Sequence, residues 1–165
     1  MTDLWGTLTR TGTTGSVAFR RVHRTDIDDL WSALTDPERL ARWFAPVELR
    51  GDGHYRIDFE PDDETQRSGG EILDCVPPRR LEVSWISPGE AAHSRVVVTL
   101  TEAADGTDLS LLHTGLPVGA DVGYTAGWEV YLRQLEEWCA GHEPEDWWGR
   151  WTDLRDAYAA TAPES

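Results

Sequence analysis

The chain contains no lysine; every basic side chain is arginine. That excludes Schiff-base chemistry on a lysine and the lysine of a phosphate-binding loop. Cysteine is scarce too. Cys75 and Cys139 stand far apart and suggest no disulfide framework. No segment reaches the roughly 18 consecutive apolar residues of a membrane-spanning helix. The start, Met1-Thr2-Asp3-Leu4-Trp5-Gly6, has neither a basic cluster nor an apolar run. No signal peptide is therefore expected, and the cytoplasm is the expected compartment.

Several chemical motifs are missing as well. Gly51-Asp52-Gly53 lacks the third glycine and following helix of a dinucleotide fingerprint, so it reads as a turn. No Gly-x-Ser-x-Gly elbow occurs. His23, His54, His93 and His142 form no pair with zinc-ligand spacing, and Cys139-Ala140-Gly141-His142 is a half-site without a second half. Asp62, Asp63 and Glu64 do not follow a calcium-loop pattern. No metal and no organic cofactor is expected.

Positive charge is outnumbered: 15 arginines face 30 acidic residues, for a net charge of −15. Nucleic acid and anionic membrane surfaces would repel such a chain. What is abundant is tryptophan, with nine residues. Trp is bulky and its N–H wants a partner, so these rings either fill a core or line a pocket. A chain of 165 residues is one ordinary domain. At this size it can bury roughly 70% of its unfolded surface.

Hydrophobic periodicity orders the middle of the chain. Val17, Phe19 and Val22 mark a first strand over Ser16 to Thr25. Thr25 or Asp26 then caps a helix whose face is Ile27, Leu30, Trp31 and Leu34. Asp36-Pro37 ends it and opens a second, with Leu40, Trp43 and Phe44 on its apolar side. Alternating strands follow through Tyr55, Ile57 and Phe59, then Ile72 to Cys75, then Leu81, Val83 and Trp85, then Ser94 to Thr101, then Leu109 to His113. Short turn-rich joins predict an antiparallel sheet. Tyr124, Trp128, Tyr131, Leu135 and Trp138 recur at helical steps and predict a long closing helix at about residues 119 to 140. Residues 1–14 read as a flexible arm. Residues 15–141 form the main domain. Residues 142–165 read as a Trp-rich extension, a short helix that caps the domain or forms a homodimer contact through Trp147, Trp148 and Trp151.

Several segments in this order resemble one family. They are Asp29-Leu30-Trp31-Ser32-Ala33-Leu34-Thr35-Asp36-Pro37, Gly69-Gly70-Glu71-Ile72-Leu73, Pro77-Pro78-Arg79-Arg80-Leu81, Val96-Val97-Val98-Thr99-Leu100-Thr101 and Gly127-Trp128. The chain resembles the SRPBCC superfamily with its START-like helix-grip fold. Within it, the chain is most similar to homologues of the heat-shock-protein-90 ATPase activator C-terminal domain. The resemblance implies an α+β fold: a curved antiparallel sheet around a long C-terminal helix, with two short helices after the first strand. It implies a small hydrophobic or aromatic ligand in a cavity between sheet and helix. It also leaves open an aromatase- or cyclase-type enzyme on a polyketide-like substrate, and a chaperone-associated interaction module.

In such a fold Tyr55, Phe59, Trp85, Val98, Leu111, Trp128, Tyr131 and Leu135 would converge on the cavity, and Trp31, Trp43 and Phe44 would close one mouth. His113, at the end of an apolar strand, would orient a ligand carbonyl or act in proton transfer; its alternative role is a structural histidine. No catalytic set is evident in the sequence.

Overall fold

The computed structural model describes residues 3–60 and 62–163. The outermost residues of the expected arm and tail, and Pro61 of the loop after Phe59, lie outside the described residues. The eight strands are β1 (Gly6–Thr11), β2 (Thr14–His23), β3 (Val47–Leu49), β4 (His54–Asp58), β5 (Arg67–Val76), β6 (Arg80–Trp85), β7 (Ser94–Ala103) and β8 (Gly106–Pro117). They form one antiparallel sheet in the order β1-β2-β8-β7-β6-β5-β4-β3. The helices are α1 (Ile27–Thr35), α2 (Pro37–Trp43), α3 (Asp121–Cys139) and α4 (Trp147–Thr161). The long helix α3 lies across the sheet, so the helix-grip architecture is present.

Local chemistry explains the short helices. The Asp26 carboxylate accepts from Asp29 N–H at 2.8 Å and caps α1. Asp36 accepts from Glu38 N–H at 3.0 Å and caps α2, with Pro37 at its first position. The Trp43 indole N–H donates to the Ala33 carbonyl at 2.9 Å, which locks the two helices together. The main core then joins Phe19 and Leu111 of the sheet, Leu30 of α1, Trp43 of α2, and Leu132 and Leu135 of α3. Side chains of this size contribute about 1.5–3 kcal/mol each on full burial.

Two expectations change. Residues 6–11 are not a loose arm; they are the edge strand β1, paired from Gly6↔Phe19 to Thr11↔Thr14. The β-branched threonines of Thr7-Leu8-Thr9-Arg10-Thr11 suit a strand, but the strand carries little apolar alternation. Tertiary contacts hold it instead. The Trp5 ring sits between the Arg21 and Arg133 guanidiniums, 3.7 and 4.2 Å from its centre. The short helices accordingly follow the second strand.

The closing helix also differs from a simple one-sided stripe. α3 is covered on two sides. Leu132 and Leu135 meet the sheet-side core, while Ala126 and Val130 meet Leu154 and Tyr158 of α4. Between these apolar contacts sits a fully buried carboxylate, Glu129. It accepts from Trp5 N–H at 2.8 Å, from the Tyr158 hydroxyl, and from Arg133 at 2.7 Å. Tyr158 in turn accepts from Gly6 N–H at 2.8 Å. A β-carbon on Gly6 would stand 2.5 Å from the Phe19 ring, so the strand can approach this closely only with glycine there. A second buried carboxylate, Asp121, holds Arg10 of β1 at 2.8 Å.

These bonds predict the cost of breaking the knot. Tyr158→Phe removes one donor to Glu129 and the acceptor for Gly6 N–H. Urea unfolding should show a loss of about 1–3 kcal/mol. An unchanged midpoint and slope would mean that the buried bonds contribute nothing.

Candidate functional site

Two voids flank a wall of three rings. The inner one, about 190 Å³, lies between the sheet and the helices and is lined almost wholly by apolar side chains, among them Leu40, Ile57, Val83, Val98 and Leu132. The outer one, about 710 Å³, opens between α3, α4, the end of β6 and the loop after β4. Phe44, Trp85 and Trp128 line both. Phe44 and Trp128 are stacked, with an interplanar angle of 3° and centres 6.1 Å apart. Trp85 leans on Trp128 at 5.6 Å.

The outer cleft is an aromatic surface. From Phe44 the rings continue through Tyr131 (4.7 Å) and Trp147 (5.5 Å) to Trp151 (6.1 Å). Phe59 closes on both Phe44 and Tyr131. The chain's helix pairing explains the α4 contribution. Gly123 and Gly127, one helical turn apart, leave a flat strip on α3, and the Trp151 ring lies over both. Its N–H donates to the Gly123 carbonyl at 3.1 Å. Trp147 and Trp151 thus turn into the cleft, and Trp148 alone of the three is largely exposed, at 64%.

Polar groups collect at one end. The Ser87 hydroxyl is within 2.7 Å of the Tyr124 hydroxyl and 2.9 Å of the Ser68 hydroxyl, and it accepts from Trp85 N–H at 3.0 Å. Burial, with a contribution from Glu90, pushes the Tyr124 phenol up to about 12. At the far side Gln134 donates to the Trp43 carbonyl at 2.9 Å and fixes α3 against α2. The Tyr131 hydroxyl has no hydrogen-bond partner among the described residues. Among those residues, too, no group of three or more His, Cys, Asp or Glu is arranged to hold a metal ion.

Behind the wall lies His113, fully buried. Trp128 N–H donates to its Nδ1 at 2.9 Å, and an indole can only donate. The proton of the neutral ring is therefore on Nε2, which donates to Ser94 Oγ at 2.7 Å. Ser94 passes the chain on to the Trp85 carbonyl at 3.3 Å. One histidine thus holds the Trp128 ring directly and reaches the Trp85 backbone through Ser94. Burial drives the imidazole pKa down to about 3.

The residues anticipated from sequence divide accordingly. Trp43, Tyr55, Val98 and Leu111 line the inner cavity. Phe59 and Tyr131 line the outer cleft, and Phe44, Trp85 and Trp128 line both. Trp31, His113 and Leu135 line neither. Trp31 packs against the core at the rim of α1, Leu135 is wholly consumed by packing, and His113 is screened by Trp128. The anticipated set lacked Tyr124, Trp147, Trp148 and Trp151 of the outer cleft. The readable signal was a pair of matching spacings: Gly123 and Gly127 offer a flat helical face, and Trp147 and Trp151 offer rings at the same interval.

The depressed His113 pKa has a definite sign in stability. The unfolded ring takes up a proton below about pH 6.5, whereas the folded ring stays neutral to about 3. Stability from this group is full above 6.5 and is lost as pH falls. Between pH 6.5 and 4.5 the loss should be about 2–3 kcal/mol. Buried His23, also pushed down by burial, adds with the same sign. Urea titrations across this range should show a shallower slope for His113→Leu than for the wild type. Equal slopes would remove His113 as the cause.

The comparisons with known proteins agree with this architecture. The family model of Activator of Hsp90 ATPase homolog 1-like protein matches residues 24–140. CalU16 from Micromonospora echinospora is similar in its crystal structure, with 32% identity, 94% of this chain and 95% of that chain covered, and a TM-score of 0.77. DynU16, a protein of the dynemicin biosynthetic locus, shares 26% identity over 78% of this chain and 48% of its own, with a TM-score of 0.69. The protein encoded by gene BPP1335 from Bordetella parapertussis shares 25% identity over 98% and 94%, with a TM-score of 0.73. No curated protein matches the chain. With its helix-grip sheet and a family match across most of its length, the chain belongs to the Activator of Hsp90 ATPase homolog 1-like family, within the SRPBCC superfamily.

Proposed function

We propose that this protein binds a small hydrophobic or aromatic molecule in the outer cleft, against the wall of Phe44, Trp85 and Trp128. One observation carries the reading. The cleft holds about 710 Å³ and is surfaced chiefly by aromatic rings, with a few polar groups gathered near Ser87 and Tyr124. That is the usual composition and size of a small-molecule site. A relative from a biosynthetic locus accords with a small-molecule occupant.

A cyclase-type reaction would need an acid–base group within reach of the ligand. His113 is neutral at ordinary pH and lies behind Trp128, and burial pushes the Tyr124 and Tyr131 phenols upward. Glu60 is the one carboxylate among the described lining residues, which leaves the acid–base set of such a reaction incomplete.

Thermal unfolding with a panel of flat aromatics and fatty alcohols tests the reading. A ligand at 100 times its dissociation constant should add about 2.7 kcal/mol. Trp147→Ala, which keeps the main core intact, should weaken binding by about tenfold, roughly 1.4 kcal/mol. No shift with any compound, or an undiminished shift in Trp147→Ala, would overturn the assignment to this cleft.

A further inference from the structure

The charge of the outer cleft says more about its occupant, given the binding reading above. Among the lining residues only Glu60 is charged, and none is basic. Glu60 forms no ion pair among the described residues. Its carboxylate is close enough to Tyr131 to add to the burial that raises the phenol pKa. A second carboxylate stands at the polar end: Glu90 accepts from the Tyr124 hydroxyl at 2.9 Å and from Ser87 N–H at 2.7 Å. Among the described residues the lining thus holds one carboxylate, with a second against Tyr124, and no cationic side chain to pair an anion. Its ring faces add to this preference, because the face of an aromatic ring is electron-rich and attracts cations. The net charge of −15 draws cations toward the whole molecule.

We propose that the outer cleft selects a flat aromatic ligand that carries a positive charge. Its ring lies on the surface of Phe44, Tyr131 and Trp147, and an N–H edge of the cation faces Glu60. A carboxylate on the same ring system meets Glu60 with no counter-charge. A neutral ring gains the apolar contact but no ion pair.

Three compounds on one ring system separate these cases: 9-aminoacridine, protonated at its ring nitrogen, as the cation, acridine as the neutral ring and acridine-9-carboxylate as the anion. Their affinities are measured by isothermal titration calorimetry near neutral pH. About 0.15 M salt limits the reach of the protein's overall field to roughly 8 Å. The cation should bind about tenfold tighter than acridine, with the carboxylate weakest. Glu60→Gln should bring the cation to within about threefold of acridine. Asp105→Asn is the control for diffuse charge. It removes the same charge at the β7–β8 turn, about nine residues along β7 from the Trp85 end and so roughly 30 Å away. It should leave the ratio unchanged. Acridine binding as tightly as the cation would overturn the charge preference and leave the binding reading standing. Equal effects of Glu60→Gln and Asp105→Asn would overturn the role of Glu60. No binding by any of the three would overturn this inference, while the broader panel above decides the binding reading itself.

Discussion

The Glu129 carboxylate is the interaction on which the rest of the molecule depends. It sits fully buried on α3 and gathers Trp5 N–H, the Tyr158 hydroxyl and Arg133. A buried charge is costly unless it is paired and hydrogen-bonded, and here three donors from three parts of the chain share it. The bond set pins the first strand and the last helix to the same turn of α3. Removing any one donor leaves the others solvating a charge that water cannot reach. The first strand and the last helix are thus parts of one packed body.

That clamp has a consequence on the opposite side of the same helix. Trp128 directly precedes Glu129, and it projects toward the sheet, where it stacks on Phe44 and bonds His113. Holding α4 against Ala126 and Val130 brings Trp147 and Trp151 beside Tyr131. The outer cleft exists only because α4 is docked. Without it, the wall of Phe44, Trp85 and Trp128 would face open solvent.

The histidine behind the wall shows how burial decides chemistry. An exposed imidazole near neutral pH is a proton carrier. His113 is desolvated, accepts from an indole and donates to Ser94, so its protonation state is set by the structure. It serves as a bracket for the Trp128 ring and, through Ser94, for the Trp85 backbone. The polar groups that line the cleft are instead serine and tyrosine hydroxyls and the carboxylate of Glu60.

The sequence by itself determined the short-range features. Asp26, Asp36 and Pro37 cap and divide the helices through bonds that span two or three residues. Alternation in β6 to β8 and helical spacing in α3 depend only on local period, and they were legible with the family resemblance. Nine of the twelve anticipated cavity residues do line a void, because a large apolar side chain on an inward strand or helix face has few other places to go. Tertiary structure decided the rest. The strand at residues 6–11 has weak alternation and is stabilised by contacts more than a hundred residues away. The seat of the Trp151 ring depended on a glycine strip on another helix. His113 became a bracket, and Trp31 and Leu135 became packing, because burial and direction are properties of the assembled fold and not of any residue's neighbours in sequence.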